Sequence, residues 1–100
     1  MSSSSAFLSF PTEFVGSFIF IAVIMQFATK EWGAFAIGAA LVGVILFGGA
    51  ISGGHYNPAV SVAMFCAGKI TFVTLIGYIV AQCLGGGAAH LLTQQLAAAA

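Results

Sequence analysis

Charge is nearly absent from this sequence. Lys30, Lys69, Glu13 and Glu31 are its only formally charged side chains, 4% of 100 residues, and they sum to zero. A soluble domain carries about 25% charged residues. With 61% apolar residues, this chain cannot cover itself with a solvated surface, so the bilayer is its expected solvent. The zero balance argues against a nucleic-acid partner and against a polybasic membrane anchor. Cysteine is scarce as well: Cys66 and Cys83 lack metal-type spacing and read as small apolar residues in helices. No basic segment precedes the first apolar run, which is too long for a signal-peptide core and reads as a retained span.

What the chain has instead is long apolar runs. A hydrocarbon core of about 30 Å needs roughly 20 apolar residues per crossing helix. Residues 10–29, 32–51 and 72–92 each meet that length; Lys30 and Glu31 close the first, and Trp32 suits an interfacial belt. Residues 1–9 read as a polar tail and 94–100 as a second tail; the serine run at 2–5 and the alanine run at 97–100 carry no chemistry. The expected fold is an all-α membrane protein with three transmembrane helices and one re-entrant half-helix. Gly77, Ala81 and Gly85 line one face of the third span, and Ala39 and Gly43 recur at the same spacing on the second. Such stripes let helices approach closely in lipid, although glycine is common in membrane helices generally.

The half-helix is expected at about 57–67. Ser52-Gly53-Gly54-His55-Tyr56-Asn57-Pro58-Ala59-Val60 separates the second and third runs. Asn57 is a favoured N-cap and Pro58 a favoured first helical residue, so a helix starts there. Eleven residues at 1.5 Å each reach about 16 Å, half the hydrocarbon thickness. Broken backbone between spans suggests a segment lining a polar path. The bland alternative is a short helix lying on the membrane surface, against which stands the lack of a charged face.

The chain resembles the first half of an aquaporin or aquaglyceroporin, the major intrinsic protein family. Four stretches carry the likeness in the family's order. Residues 12–18 resemble the opening of the first helix, and 52–60 the first re-entrant loop with Asn57-Pro58-Ala59. Residues 67–70 resemble the half-helix exit and 77–86 the third helix. Together the likeness covers about 10–93. A lone Asn-Pro-Ala is weak evidence, because Asn-Pro is a common turn signal; nine loop residues with correctly placed flanks are specific.

The resemblance implies a passive channel for water and small neutral solutes such as glycerol, with no cofactor. A half-helix carries about +0.5 charge at its N-terminus, which repels cations. Asn57 can offer amide donors to a passing oxygen, and carbonyls of the Gly53-Gly54-His55 segment can accept. Glu13 has two readings: a buried carboxylate bracing the 52–57 loop, as the resemblance implies, or a first-turn residue facing the interface. His55 reads as a pH sensor or, as the resemblance favours, a structural pin. Gln82 reads as a loop brace or as generic interhelical glue. Tyr56 reads as packing, and His90 as interfacial. Ile37, twenty residues before Asn57, falls where the family places one member of its outer filter; its bland reading is another aliphatic.

Departures from the family follow. Its second half, with another Asn-Pro-Ala followed by arginine, is not among these residues; Val60 follows Ala59 here. One copy has three spans and cannot enclose a pore. Two antiparallel copies would restore six spans and two facing Asn57 tips, and the resemblance implies a homo-oligomer that gathers such pairs into tetramer-like units. Lys30 and Lys69 are expected on opposite sides, so the positive-inside bias is nearly nil. The alternative is a non-conducting half-channel fragment or a subunit needing a separate second half. Enzyme activity is not expected: Glu13, His55 and His90 have no catalytic or metal-binding spacing.

Overall fold

The computed structural model describes residues 3–100; Met1 and Ser2, the latter the first of the serine run, lie outside them. Among the described residues are four helices and no strand: α1 (Ser3–Phe27), α2 (Gly33–Ser52), α3 (Pro58–Cys66) and α4 (Phe72–Ala99). Three of these, over Phe7–Phe27, Gly33–Ser52 and Phe72–Ala99, are long and apolar enough to cross a bilayer.

Both ends differ from the sequence expectation. Residues 3–9, expected as a tail, are the first turns of α1, which runs through Pro11. Pro11 offers no N–H to the Phe7 carbonyl, yet the helix continues through it; beside it the Thr12 hydroxyl donates to the Leu8 carbonyl at 2.8 Å, and Ser9 and Thr12 are buried. Residues 94–99 continue α4, as an alanine-rich end favours.

The interior is polar and the exterior apolar. Ser9, Thr12, Glu13 and Ser17, one face of α1 at helical spacing, are all buried. Phe35 is 81% exposed, Leu46 80% and Val73 77%. Burying hydroxyls and a carboxylate while exposing aliphatic and aromatic side chains is favourable only in hydrocarbon. The molecule is an integral, multi-pass membrane protein.

α1 lies between α2 and α4. Phe10 meets Tyr78 edge-on at 5.8 Å, and the Thr93 hydroxyl lies 3.8 Å from the Met25 sulfur, so α1 and α4 run parallel. They approach closely at Gly85, where a Cβ would stand 2.6 Å from the Phe14 carbonyl oxygen. The Gly77, Ala81 and Gly85 stripe thus faces α1. The Ala39 and Gly43 stripe does not pack within the chain: both are exposed, and a Cβ on Gly43 would meet nothing. The face of α2 toward the core carries Gly33, Val44 and Gly48 instead, about a third of a turn away.

α2 ends on Gly53, left-handed at φ 90°, whose N–H donates to the Gly49 carbonyl at 2.9 Å. α3 then folds back. The Gln82 amide donates to the Ser61 hydroxyl near its start, and Phe65 meets Phe72 at 5.8 Å at its end. Gln82 is ten residues into α4, about 15 Å along it. The N-terminus of α3 therefore lies at mid-depth and its C-terminus returns to the end where α4 begins. There Gly68, at φ 75°, closes α3: Lys69 N–H donates to the Met64 carbonyl and Gly68 N–H to that of Phe65, a Schellman motif.

Candidate functional site

The 53–57 loop is non-helical backbone that is buried at His55 and Tyr56, so its polar groups there need partners. The N–H groups of both residues converge on one side chain. Glu13, ten residues into α1 and 0% exposed, accepts four hydrogen bonds. Its Oε1 receives the Tyr56 N–H at 2.8 Å and the Gln82 amide at 2.9 Å; its Oε2 receives the Ser52 hydroxyl at 2.7 Å and the His55 N–H at 3.1 Å. All four partners are donors, which suits a carboxylate's four lone-pair positions.

A second layer surrounds this centre. His55 Nδ1 and the Ser61 hydroxyl share a hydrogen bond of 2.8 Å, and the His55 ring meets Tyr78 edge-on at 4.9 Å. The Tyr78 hydroxyl donates to the Ser52 carbonyl, and that of Tyr56 to the Val44 carbonyl at 2.6 Å. Ser52 Oγ also receives the Gly54 N–H at 3.2 Å. Gly53 and Gly54 take φ 90° and 65°, angles that suit glycine.

Asn57 caps α3 from φ −159°, its Oδ1 accepting the Ala59 N–H at 2.8 Å. That bond engages only the amide oxygen and leaves the side-chain N–H groups outside the cap. Asn57, Pro58 and Ala59 are exposed, unlike His55 and Tyr56 before them. A cavity of about 560 Å³ opens beside the loop, walled by Ile51, Gly53, His55, Met64 and Lys69.

The structure brings Glu13, His55 and Gln82 together beneath the exposed 57–59 tip. Ile37 stands apart: it is half-buried on α2, fifteen residues before Ser52 and about 22 Å from it along the axis. His90 is exposed near the far end of α4, and Cys66 and Cys83 are free and exposed. Among the described residues no cluster of three potential metal ligands occurs. Sequence reasoning passed over Ser61 and Tyr78. Both had a signal: a hydroxyl inside an otherwise apolar helix must find a partner.

The family model described as Major intrinsic protein matches residues 1–100. This chain belongs to the major intrinsic protein family. It is similar to Aquaporin-4 of Mus musculus, 36% identical over 86 residues, a match covering 73% of this chain and 26% of that protein. Aquaporin-4 of Homo sapiens matches with the same identity and coverage. Aquaporin PIP2-7 of Arabidopsis thaliana is 44% identical over 52 residues, covering 52% of this chain and 19% of its own length. The chain thus spans about a quarter or less of the curated relatives it matches. No solved structure matches it. Membership of the major intrinsic protein family accords with three spanning helices and a short helix folded back between the second and third.

Proposed function

We propose that this chain is the pore-forming half of a passive channel for water and small neutral solutes, glycerol among them. The pore is enclosed when two copies pair in inverted orientation. The observation that carries this reading is the polar tip at mid-depth. Asn57 and the N-terminus of α3 are presented on an exposed face, while Glu13, Ser52, His55 and Gln82 satisfy the loop behind them.

In this reading Glu13 and Gln82 brace the loop, and Asn57, Pro58 and Ala59 face the permeating file. Carbonyls of Gly53, Gly54 and His55 line the approach, and Ile37 narrows it farther along α2. Amide donors and carbonyl acceptors replace hydrogen bonds that water gives up on leaving bulk, which lowers a desolvation penalty of several kcal/mol. The positive end of α3 opposes hydronium and metal cations. The family names of the relatives, aquaporins, support water as the solute.

The test is osmotic shrinkage of liposomes holding the natural chain or Asn57→Asp. The aspartate keeps the capping oxygen for Ala59 N–H, so the fold survives, but it replaces donors with a negative charge. The natural chain should shrink liposomes several-fold faster than lipid alone, and the variant should lose most of that gain. Shrinkage of both at the lipid rate removes the homomeric channel; failure to pass glycerol removes only the polyol clause.

A further inference from the structure

Tyr56 is the one non-glycine among the described residues with a positive φ, 54°. A bulky aromatic rarely takes that conformation, so the surroundings must hold it. They hold it at both ends. The backbone N–H donates to Glu13 Oε1 on α1 at 2.8 Å, and the phenol donates to the Val44 carbonyl on α2 at 2.6 Å. Between these ends the ring occupies a slot made by two glycines: a Cβ on Gly16 would overlap the ring edge, and one on Gly48 would overlap the hydroxyl. Tyr56 as a whole is 3% exposed.

We infer that Tyr56 is the positioning residue for Asn57, a rigid strut between the α1–α2 slot and the loop that fixes the depth and heading of the tip. The inference rests on the proposed role of Asn57 at the permeation path. Its physical basis is that one residue bridges two helices and the loop at once. Val44 lies eight residues before the end of α2, about 12 Å along it, so the phenol is tied to the middle of the bundle. Asn57, the next residue, then turns out to φ −159° and exposes its amide. Shortening the strut frees the left-handed residue to relax, and Asn57 moves with it. His55 shares the backbone anchor on Glu13 but cannot substitute, because its ring reaches Ser61 and Tyr78, on α3 and α4.

The experiment uses the full chain in liposomes, as Tyr56→Phe, Tyr56→Ala, Gly16→Ala and Gly16→Ala/Tyr56→Ala. Two readouts are taken: amide hydrogen exchange over residues 55–60, and the ratio of proton to water flux. Tyr56→Phe should keep its helicity, exchange about tenfold faster over 55–60, as loss of one buried hydrogen bond predicts, and raise the flux ratio. Tyr56→Ala and Gly16→Ala should each do so more strongly. Their combination should fall well short of the product of the single effects, because the new methyl enters space the ring has left. Unchanged exchange in Tyr56→Phe, or independent effects in the double variant, overturns the inference. Accelerated exchange in a protein whose natural form carries no water flux upholds the strut and sinks the channel.

Discussion

Glu13 shows how a single charge is made tolerable inside a lipid-solvated bundle. An acidic residue at the centre of a membrane helix costs about 2.5–3.5 kcal/mol on insertion scales. Four donors on its two oxygens offset this, since hydrogen bonds to a charged group contribute about 1.5–3 kcal/mol each. Glu13→Gln is nearly isosteric but turns one oxygen into a donor: at the Oε1 position it would face two N–H donors, and at Oε2 the His55 N–H, where the Ser52 hydroxyl can turn to the Gly48 carbonyl at 3.3 Å. The variant should lose about 3 kcal/mol, read as a fall in the thermal midpoint in detergent. Ser61→Ala removes a smaller share, about 1–2 kcal/mol, because Gln82 keeps its bond to Glu13 while His55 Nδ1 and one Gln82 N–H are left unpaired. Equal midpoints for the two variants would mean that the carboxylate is not the centre of the network. From sequence alone Glu13 stood between an interfacial and a buried reading, because its partners lie 39 to 69 residues away and no local pattern encodes them. The Asn57 cap was plain, since capping acts over two residues.

The helices themselves were the more readable part, because length and apolarity are local properties. Their ends and their faces were not. Alanine and serine continue a helix or leave it according to packing, so the tail boundaries read before residue 10 and at residue 94 did not hold. Small-residue spacing marks a candidate contact face but does not say which face meets a neighbour: Gly85 packs, whereas Gly43 and Gly87 face open space. That contrast is measurable on α4. Gly85→Ala puts a methyl 2.6 Å from the Phe14 carbonyl oxygen and 3.1 Å from Phe18 N, both backbone atoms that can move only if α1 moves. It should cost about 1–3 kcal/mol and separate α1 from α4. Gly87→Ala meets nothing and should be stabilising by a few tenths to about 1 kcal/mol, the helix propensity gain. Comparing the two thermal midpoints in one detergent checks both, and a Gly85→Ala midpoint at or above the natural one would deny the close approach.

Three spanning helices, with the loop and α3 exposed on one side, leave a surface that a second copy must complete if the chain conducts without another partner. The inverted pairing proposed above requires that the chain insert both ways round. Its charges allow this. Lys30 lies in the turn joining α1 to α2, and Lys69 lies beside the start of α4 at the opposite end of the bundle. The positive-inside bias counts lysines and arginines near the ends of spans, and here it counts one against one. Lys30→Gln leaves a lysine only at the α3–α4 end, and Lys69→Gln only at the α1–α2 end. Each should drive the population toward a single orientation, opposite in the two variants. Neither lysine side chain is buried, so folding should be unaffected. Each variant expressed alone should then lose most of its water flux per copy, and the two expressed together should recover it. The checks are labelling of a single cysteine at either membrane face and stopped-flow shrinkage of the same vesicles. Undiminished flux from a singly oriented variant would mean that the pore is not built from inverted copies; full loss that mixing does not restore would point to a different second half.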